Sequence, residues 1–215
     1  MKRYYFLLAS IVLLFLSLWG FSDNLVTDVG QKSNSDPKFI IHGLFCFAWF
    51  IVLVIQTTYI TKGSYRAHIN LGVAGMVAAI GVFVTTIYIF IVIYDGWHKM
   101  EYTARCNRFL LPSFALLVWL GYRNRKTAET HKRLMYVASL YMLAPILGRA
   151  MGHSILDTLI PVTAPITWDV TLFCIWTLFF ISLFLYDWTT ARKIHRVSSL
   201  GFVWFLLVWT VAILT

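Results

Sequence analysis

The sequence predicts an all-α, polytopic transmembrane bundle of seven helices, with the N-terminus inside and the C-terminus outside. Three observations carry that prediction. Apolar residues make up 60% of the 215 and charged residues only 13%, where a soluble domain carries about 25% charge. The apolar residues fall into runs of span length separated by polar breaks, as hydrocarbon of about 30 Å demands. The basic residues collect in alternate breaks, which is the positive-inside bias of a chain that crosses a bilayer repeatedly.

The spans follow in order. Residues 4–21 open the chain behind Lys2 and Arg3. That start has the form of a signal peptide, but Leu18-Trp19-Gly20-Phe21 offers no small-x-small cleavage site, so the segment reads as an uncleaved anchor. A polar stretch, 22–38, rich in Asp, Asn, Ser and Gly, is expected to be irregular. The second span, 39–60, contains Gln56, and the third, 67–94, contains Asn70; both are candidates for hydrogen bonds between helices. The third also carries Gly72, Ala74, Gly75, Ala78, Ala79 and Gly81. Small residues let backbones approach, so this span is expected at the centre of the bundle, tilted because of its length. The fourth span is 108–122. The fifth, 134–151, holds Pro145, a kink candidate, with Gly148 and Gly152 continuing a small face. Spans 166–188 and 199–214 complete a single transmembrane domain over 1–215. Lengths of this kind suit helices rather than barrel strands, because each span must pair its own backbone groups. Trp97, Trp168 and Trp188, with Tyr4, Tyr5, Tyr94 and Tyr122, fall at span ends and form an interfacial aromatic belt.

With the N-terminus inside, the cytoplasmic segments hold Lys2, Arg3, Lys62, Arg66, Arg123, Arg125, Lys126, Lys132, Arg133, Arg192, Lys193 and Arg196 against Glu129 and Asp187. The other seven acidic residues lie on the opposite side: Asp23, Asp28, Asp36, Asp95, Glu101, Asp157 and Asp169. The net charge of +9 therefore reports topology and contact with membrane lipids, not a nucleic-acid partner.

Candidate chemistry rests on histidines. His42 and His153 lie at outer span ends, and His68 and His131 at inner ones. The inner pair shares the pattern His-x-x-Leu at the entry of an outward-running helix, and a ring there can turn into the bundle to bind a metal or haem iron. The alternative is a pair of interfacial side chains among headgroups. On the outer side Cys46 follows His42 by four residues, and Arg149 precedes His153 by four, so each couple shares a helix face where the helix extends that far. Asp169 and Arg108 begin the sixth and fourth spans. Ionisable groups at membrane depth are functional candidates. Here His42, His153, Cys46 and Asp169 form a candidate metal or small-ligand set that would serve sensing, metal handling or lipid hydrolysis, while the alternative is a salt-bridge network joining Arg149 to Asp157 or Asp169. The three cysteines, Cys46, Cys106 and Cys174, have no motif spacing and read as small apolar residues.

The run from His42-Gly43-Leu44 through Gln56 and Gly63 to His68-Ile69-Asn70-Leu71-Gly72 resembles the ascorbate-dependent transmembrane cytochrome b family, and also a group of bacterial multi-span proteins. The resemblance covers roughly residues 39–153. It implies two b-type haems near opposite faces, electron transfer, and a location in the bacterial cytoplasmic membrane. It carries His42, His68 and His131 over as iron ligands, with Arg149 near the outer group. The family's fourth ligand is missing from the fourth span, so His153, or else His98 in the outer loop, must stand in.

Other classes are excluded by the residues. The last span has no retinal lysine and no His-x-x-x-His pair of the zinc hydrolases related to adiponectin receptors. Phosphate-binding glycine loops, zincin motifs and serine-hydrolase elbows are absent. Besides redox and metal chemistry there remains an accessory subunit with no cofactor, working beside a protein partner in a membrane complex.

Overall fold

A computed structural model describes residues 2–154 and 165–215. The described chain is helical throughout, without a strand. In chain order the helices are α1 (Tyr5–Gly20), α2 (Lys32–Ser35), α3 (Pro37–Lys62), α4 (Tyr65–Val92), α5 (Tyr102–Arg123), α6 (Ala128–Leu140), α7 (Leu143–Gly152), α8 (Pro165–Ala191) and α9 (Arg196–Leu214). Four of them are long and apolar enough to cross a membrane: α3, α4, α8 over Thr167–Ala191, and α9. A fifth candidate is the pair α6 and α7, bent by 50°. The chain divides into two compact units, 1–97 and 98–215.

In the first unit α3 is the helix that lies against both α1 and α4. Helix α1 buries a narrow small-residue face, Ser10, Leu13, Ser17 and Gly20, and Ser10 Oγ lies 2.9 Å from Thr57 Oγ1 of α3. Arg3 is hydrogen-bonded to the Thr61 carbonyl at the end of α3. A tight link joins α3 to α4. Gly63 takes a left-handed φ of +75°, and the Ser64 N–H reaches the Tyr59 carbonyl at 2.8 Å, which closes the helix in a Schellman turn. The small residues of α4 do face α3. A Cβ on Gly81 would collide with the Phe45 ring, and one on Gly75 would touch Val52. Gln56 approaches α4 at Gly72, but its Oε1 is buried without a hydrogen bond, and Asn70 is exposed. Neither makes the expected interhelical bond. The segment 22–38 is more ordered than its composition suggests. Asn24 Nδ2 reaches Gln31, Ser33 and Asn34 at 2.8–3.1 Å, which ties a π-helical turn, Asp23–Thr27, to α2.

In the second unit α5 starts at Tyr102, six residues before the expected 108, and runs through Pro112. The expected fifth span, 134–151, is not one helix. It breaks between Leu140 and Leu143, upstream of Pro145 itself. The physical reason is that a proline ring collides with the carbonyl four residues earlier, which here is Tyr141. Pro145 then sits comfortably in the first turn of α7, where its missing N–H costs nothing. Close contacts again use glycine: Val137 of α6 presses on Gly201 of α9, and the Tyr141 hydroxyl donates to the Gly201 carbonyl at 2.8 Å. An aromatic cluster of Phe173, Trp176, Phe180, Phe205 and Trp209 joins α8 to α9 with ring centroids 4.8–6.2 Å apart.

The outer faces of these helices stay apolar. Val73 and Leu214 are 69% and 79% exposed, and Leu44, Val77, Ile80 and Leu207 are exposed with them. Water does not tolerate apolar patches of that extent on a monomer. Hydrocarbon does, and the chain is an integral membrane protein in contact with lipid.

Candidate functional site

Helix α3 begins at the Asp36 cap, whose Oδ1 accepts the Lys38 N–H at 3.1 Å with Pro37 in the first turn. That fixes the register that brings His42 and Cys46 onto one face a turn further in. His42 Nδ1 lies 2.8 Å from Thr85 Oγ1 on α4, and His42 Nε2 lies 3.5 Å from Cys46 Sγ. Proton positions follow from the partners. The Thr85 hydroxyl donates to the Gly81 carbonyl at 2.6 Å, so towards His42 it accepts, and Nδ1 carries the ring proton. Nε2 is then the lone-pair nitrogen, and the Cys46 thiol donates to it. The couple belongs to the arrangement in which one ring nitrogen of a histidine is anchored and the other is presented to a ligand.

His68 and His131 share a register. His68 is the fourth residue of α4 and His131 the fourth of α6. Each backbone N–H bonds the carbonyl of a hydroxyl residue at the N-cap, Ser64 at 3.1 Å and Thr127 at 2.9 Å. The repeated His-x-x-Leu pattern therefore has a repeated structural position. His131 Nδ1 also donates to the Gly121 carbonyl of α5 at 2.9 Å, which leaves the lone pair of the neutral ring on Nε2. In the second unit His153 follows the fifth run and Asp169 opens the sixth, but the helix stops short of carrying His153 on one face with Arg149. Helix α7 ends at Gly152, and His153 is its cap residue, its N–H bonded to the Arg149 carbonyl at 3.1 Å. Asp169, in the first turns of α8, has the Tyr102 hydroxyl as a neighbour. Asp157, the other expected partner of Arg149, lies outside the described residues. Among the described residues, no three His, Cys, Asp or Glu side chains gather into a group that could hold a metal ion. His42 and Cys46 are a couple of donors on one helix face.

A second constellation was missed in the sequence. Arg133 and Asp187, counted there only as cytoplasmic charges, are 1% and 0% exposed. Arg133 Nη2 and Nε reach Asp187 Oδ1 at 2.6 and 2.8 Å, and Nη1 reaches Glu129 Oε2 at 2.6 Å. The other Asp187 oxygen accepts the Ser198 hydroxyl at 2.7 Å and the His195 N–H at 3.0 Å. Lys132 bridges Glu129 and the Tyr186 hydroxyl. The network fastens the start of α6 to the turn between α8 and α9, and every lone pair of Asp187 that matters is engaged. In that turn His195 Nδ1 accepts the Val197 N–H at 3.1 Å as the cap of α9. Burial, reinforced by the neighbouring Arg133 charge, holds the His195 pKa below its ordinary value. The available signal was an aspartate inside the apolar run that forms α8.

Compared with known proteins, the chain matches no family model, no curated protein and no solved structure.

Proposed function

We propose that this chain is a seven-span membrane protein, N-terminus inside and C-terminus outside, that handles copper(I) through His42 and Cys46 at the outer end of α3. The seven-span reading adds α1 and α5 to the span-capable helices. Its support is the placement of twelve basic residues on one side. The observation that carries the metal reading is the 3.5 Å between His42 Nε2 and Cys46 Sγ. With metal–nitrogen and metal–sulfur bonds of about 2.0 and 2.3 Å, a near-tetrahedral angle at the metal separates the two donors by about 3.5 Å. The thiol proton is what the metal replaces: Cys46-SH and Cu⁺ give Cys46-S–Cu and release H⁺. Thiolate selects soft ions. A monovalent ion with one thiolate is also neutral overall, whereas a divalent ion leaves a net charge near hydrocarbon, which is expensive. The same sulfur argues against a porphyrin on His42, since iron at bonding distance from Nε2 would crowd Cys46. Remaining positions around the ion fall to small solution ligands.

The test is a titration of the detergent-purified protein with copper(I) against a chromophoric chelator. One equivalent is expected to bind, with His42→Ala and Cys46→Ser each losing it. Equal copper retention by wild type and both variants would contradict the reading.

A second reading, haem b and electron transfer, is favoured by one observation: His131 Nδ1 is anchored on the Gly121 carbonyl, the usual second partner of an iron-bound imidazole. His131 would hold the group, which supplies one-electron chemistry when bound. Sharp reduced visible bands that disappear in His131→Ala would support it. Stoichiometric copper without those bands would reject it.

A further inference from the structure

Beside the His42–Thr85 contact, α3 and α4 border a cleft of about 500 Å³ lined by Asp36, Pro37, Lys38, Ile41, Val84, Thr85, Tyr88 and Val92. That volume is within the range of small-molecule sites. We infer that this cleft is the binding site for one phosphoethanolamine lipid, its headgroup on Asp36 and Lys38 and an acyl chain along the walls. Val84, Tyr88 and Val92 are spaced four apart, so on α4 they make one row about 12 Å long. Pro37 and Ile41 make the facing row on α3. Tyr88, Val84 and Val92 are 51–57% exposed, so nothing in the described chain covers them. The row runs from the chain's outer polar segment towards the bilayer centre, the direction in which an acyl chain lies.

The charges at the mouth choose the headgroup. Asp36 and Lys38 are ion-paired there, with side chains 35% and 21% exposed, and the Lys38 bond holds the Asp36 carboxyl below the ordinary carboxylate range. An opposite pair matches a zwitterion: phosphate to the Lys38 ammonium, primary ammonium to the Asp36 carboxylate. A primary ammonium donates hydrogen bonds, whereas a quaternary choline has none to give, and an anionic glycerol headgroup meets Asp36 with the wrong sign. The floor of the cleft is Thr85, which also anchors His42 Nδ1.

The inference rests on the membrane reading alone and not on copper. It is tested by native mass spectrometry of the full chain released from mixed micelles holding equal amounts of palmitoyl-oleoyl phosphatidylethanolamine, phosphatidylcholine and phosphatidylglycerol. Wild type is expected to retain one phosphatidylethanolamine at least several-fold over the other two. Val84→Trp, which fills the cleft, is expected to lose it. Ile80→Trp, one turn below the row, should keep it. Asp36→Asn retains a good helix cap but removes the carboxylate, and should level ethanolamine with choline. Equal retention of all three lipids by wild type, a preference for phosphatidylglycerol, or no change in Asp36→Asn overturns the inference. If Val84→Trp loses helix content by circular dichroism, Asp36→Asn decides alone. A chain that leaves membranes in an alkaline wash sinks the membrane reading instead.

Discussion

At His42 each ring nitrogen has its own partner, so the two can be perturbed separately. Thr85→Val keeps the shape of the side chain and removes the hydroxyl that anchors Nδ1. Loss of such an outer partner typically costs about 10–100-fold in metal affinity. We expect copper(I) affinity to fall by that order in Thr85→Val while helix content stays constant. An unchanged affinity would show that Thr85 does not orient the ring. The couple of His42 and Cys46 was legible from sequence because four residues define a helix face. Thr85, forty-three residues away, was not, since nothing in a single chain pairs two positions on different helices. His195 offers a pH test. Its pKa is lowered in the fold by burial and by Arg133, with Asp187, Glu129 and Lys132 also facing it. The unfolded chain therefore takes the proton first. Stability is complete above the ordinary histidine value of 6.5 and falls as pH drops through it towards the lowered value. Protonation also removes the lone pair that caps α9. The thermal midpoint in detergent should drop on acidification more in wild type than in His195→Asn, which keeps a capping oxygen without a titrating ring. Equal drops would contradict this.

Among the elements, the hydrophobic runs located the long helices closely, because a span in lipid has only its own apolar length to define it. They failed where a helix continues through polar residues. Helix α5 gains a turn and a half carrying Arg105 and Asn107 ahead of its apolar part, and the run 134–151 hides the break at Tyr141 because both pieces are equally apolar. The proline was visible, but the bend falls on the carbonyl it displaces. The buried link from α6 to the α8–α9 turn was illegible for another reason: composition assigns Arg133 and Asp187 to a side of the membrane, not to each other. Their burial predicts a non-additive pair. Arg133→Met leaves a buried carboxylate without its counter-charge, and Asp187→Leu leaves a buried guanidinium; each should destabilise by about 3–5 kcal/mol. The double variant should recover most of that loss, because an apolar pair of similar volume is often neutral or better. Thermal midpoints of the four proteins measure the coupling. Additive losses would mean that the two side chains act independently.

For the molecule as a whole, one solvent explains the pattern. Exposed faces such as Val73, Val77 and Ile80 on α4 are stable against hydrocarbon, while polar side chains turn inwards to backbone carbonyls, as Ser10, Thr57, Thr58 and Thr85 do. The division into two compact units was not legible, because hydropathy assigns spans without assigning their neighbours. The sidedness of the loops is the claim on which the seven-span reading and the assignment of His42 and His131 to opposite faces depend. It is tested most directly by single-cysteine variants of a Cys46→Ser, Cys106→Ser, Cys174→Ser background, with Ser33→Cys before α3 and Asn124→Cys after α5, labelled in intact cells by a membrane-impermeant maleimide. The account predicts that Cys at 33 is labelled in intact cells and that Cys at 124 is labelled only after the membrane is opened. Labelling of both positions from the same side would contradict it.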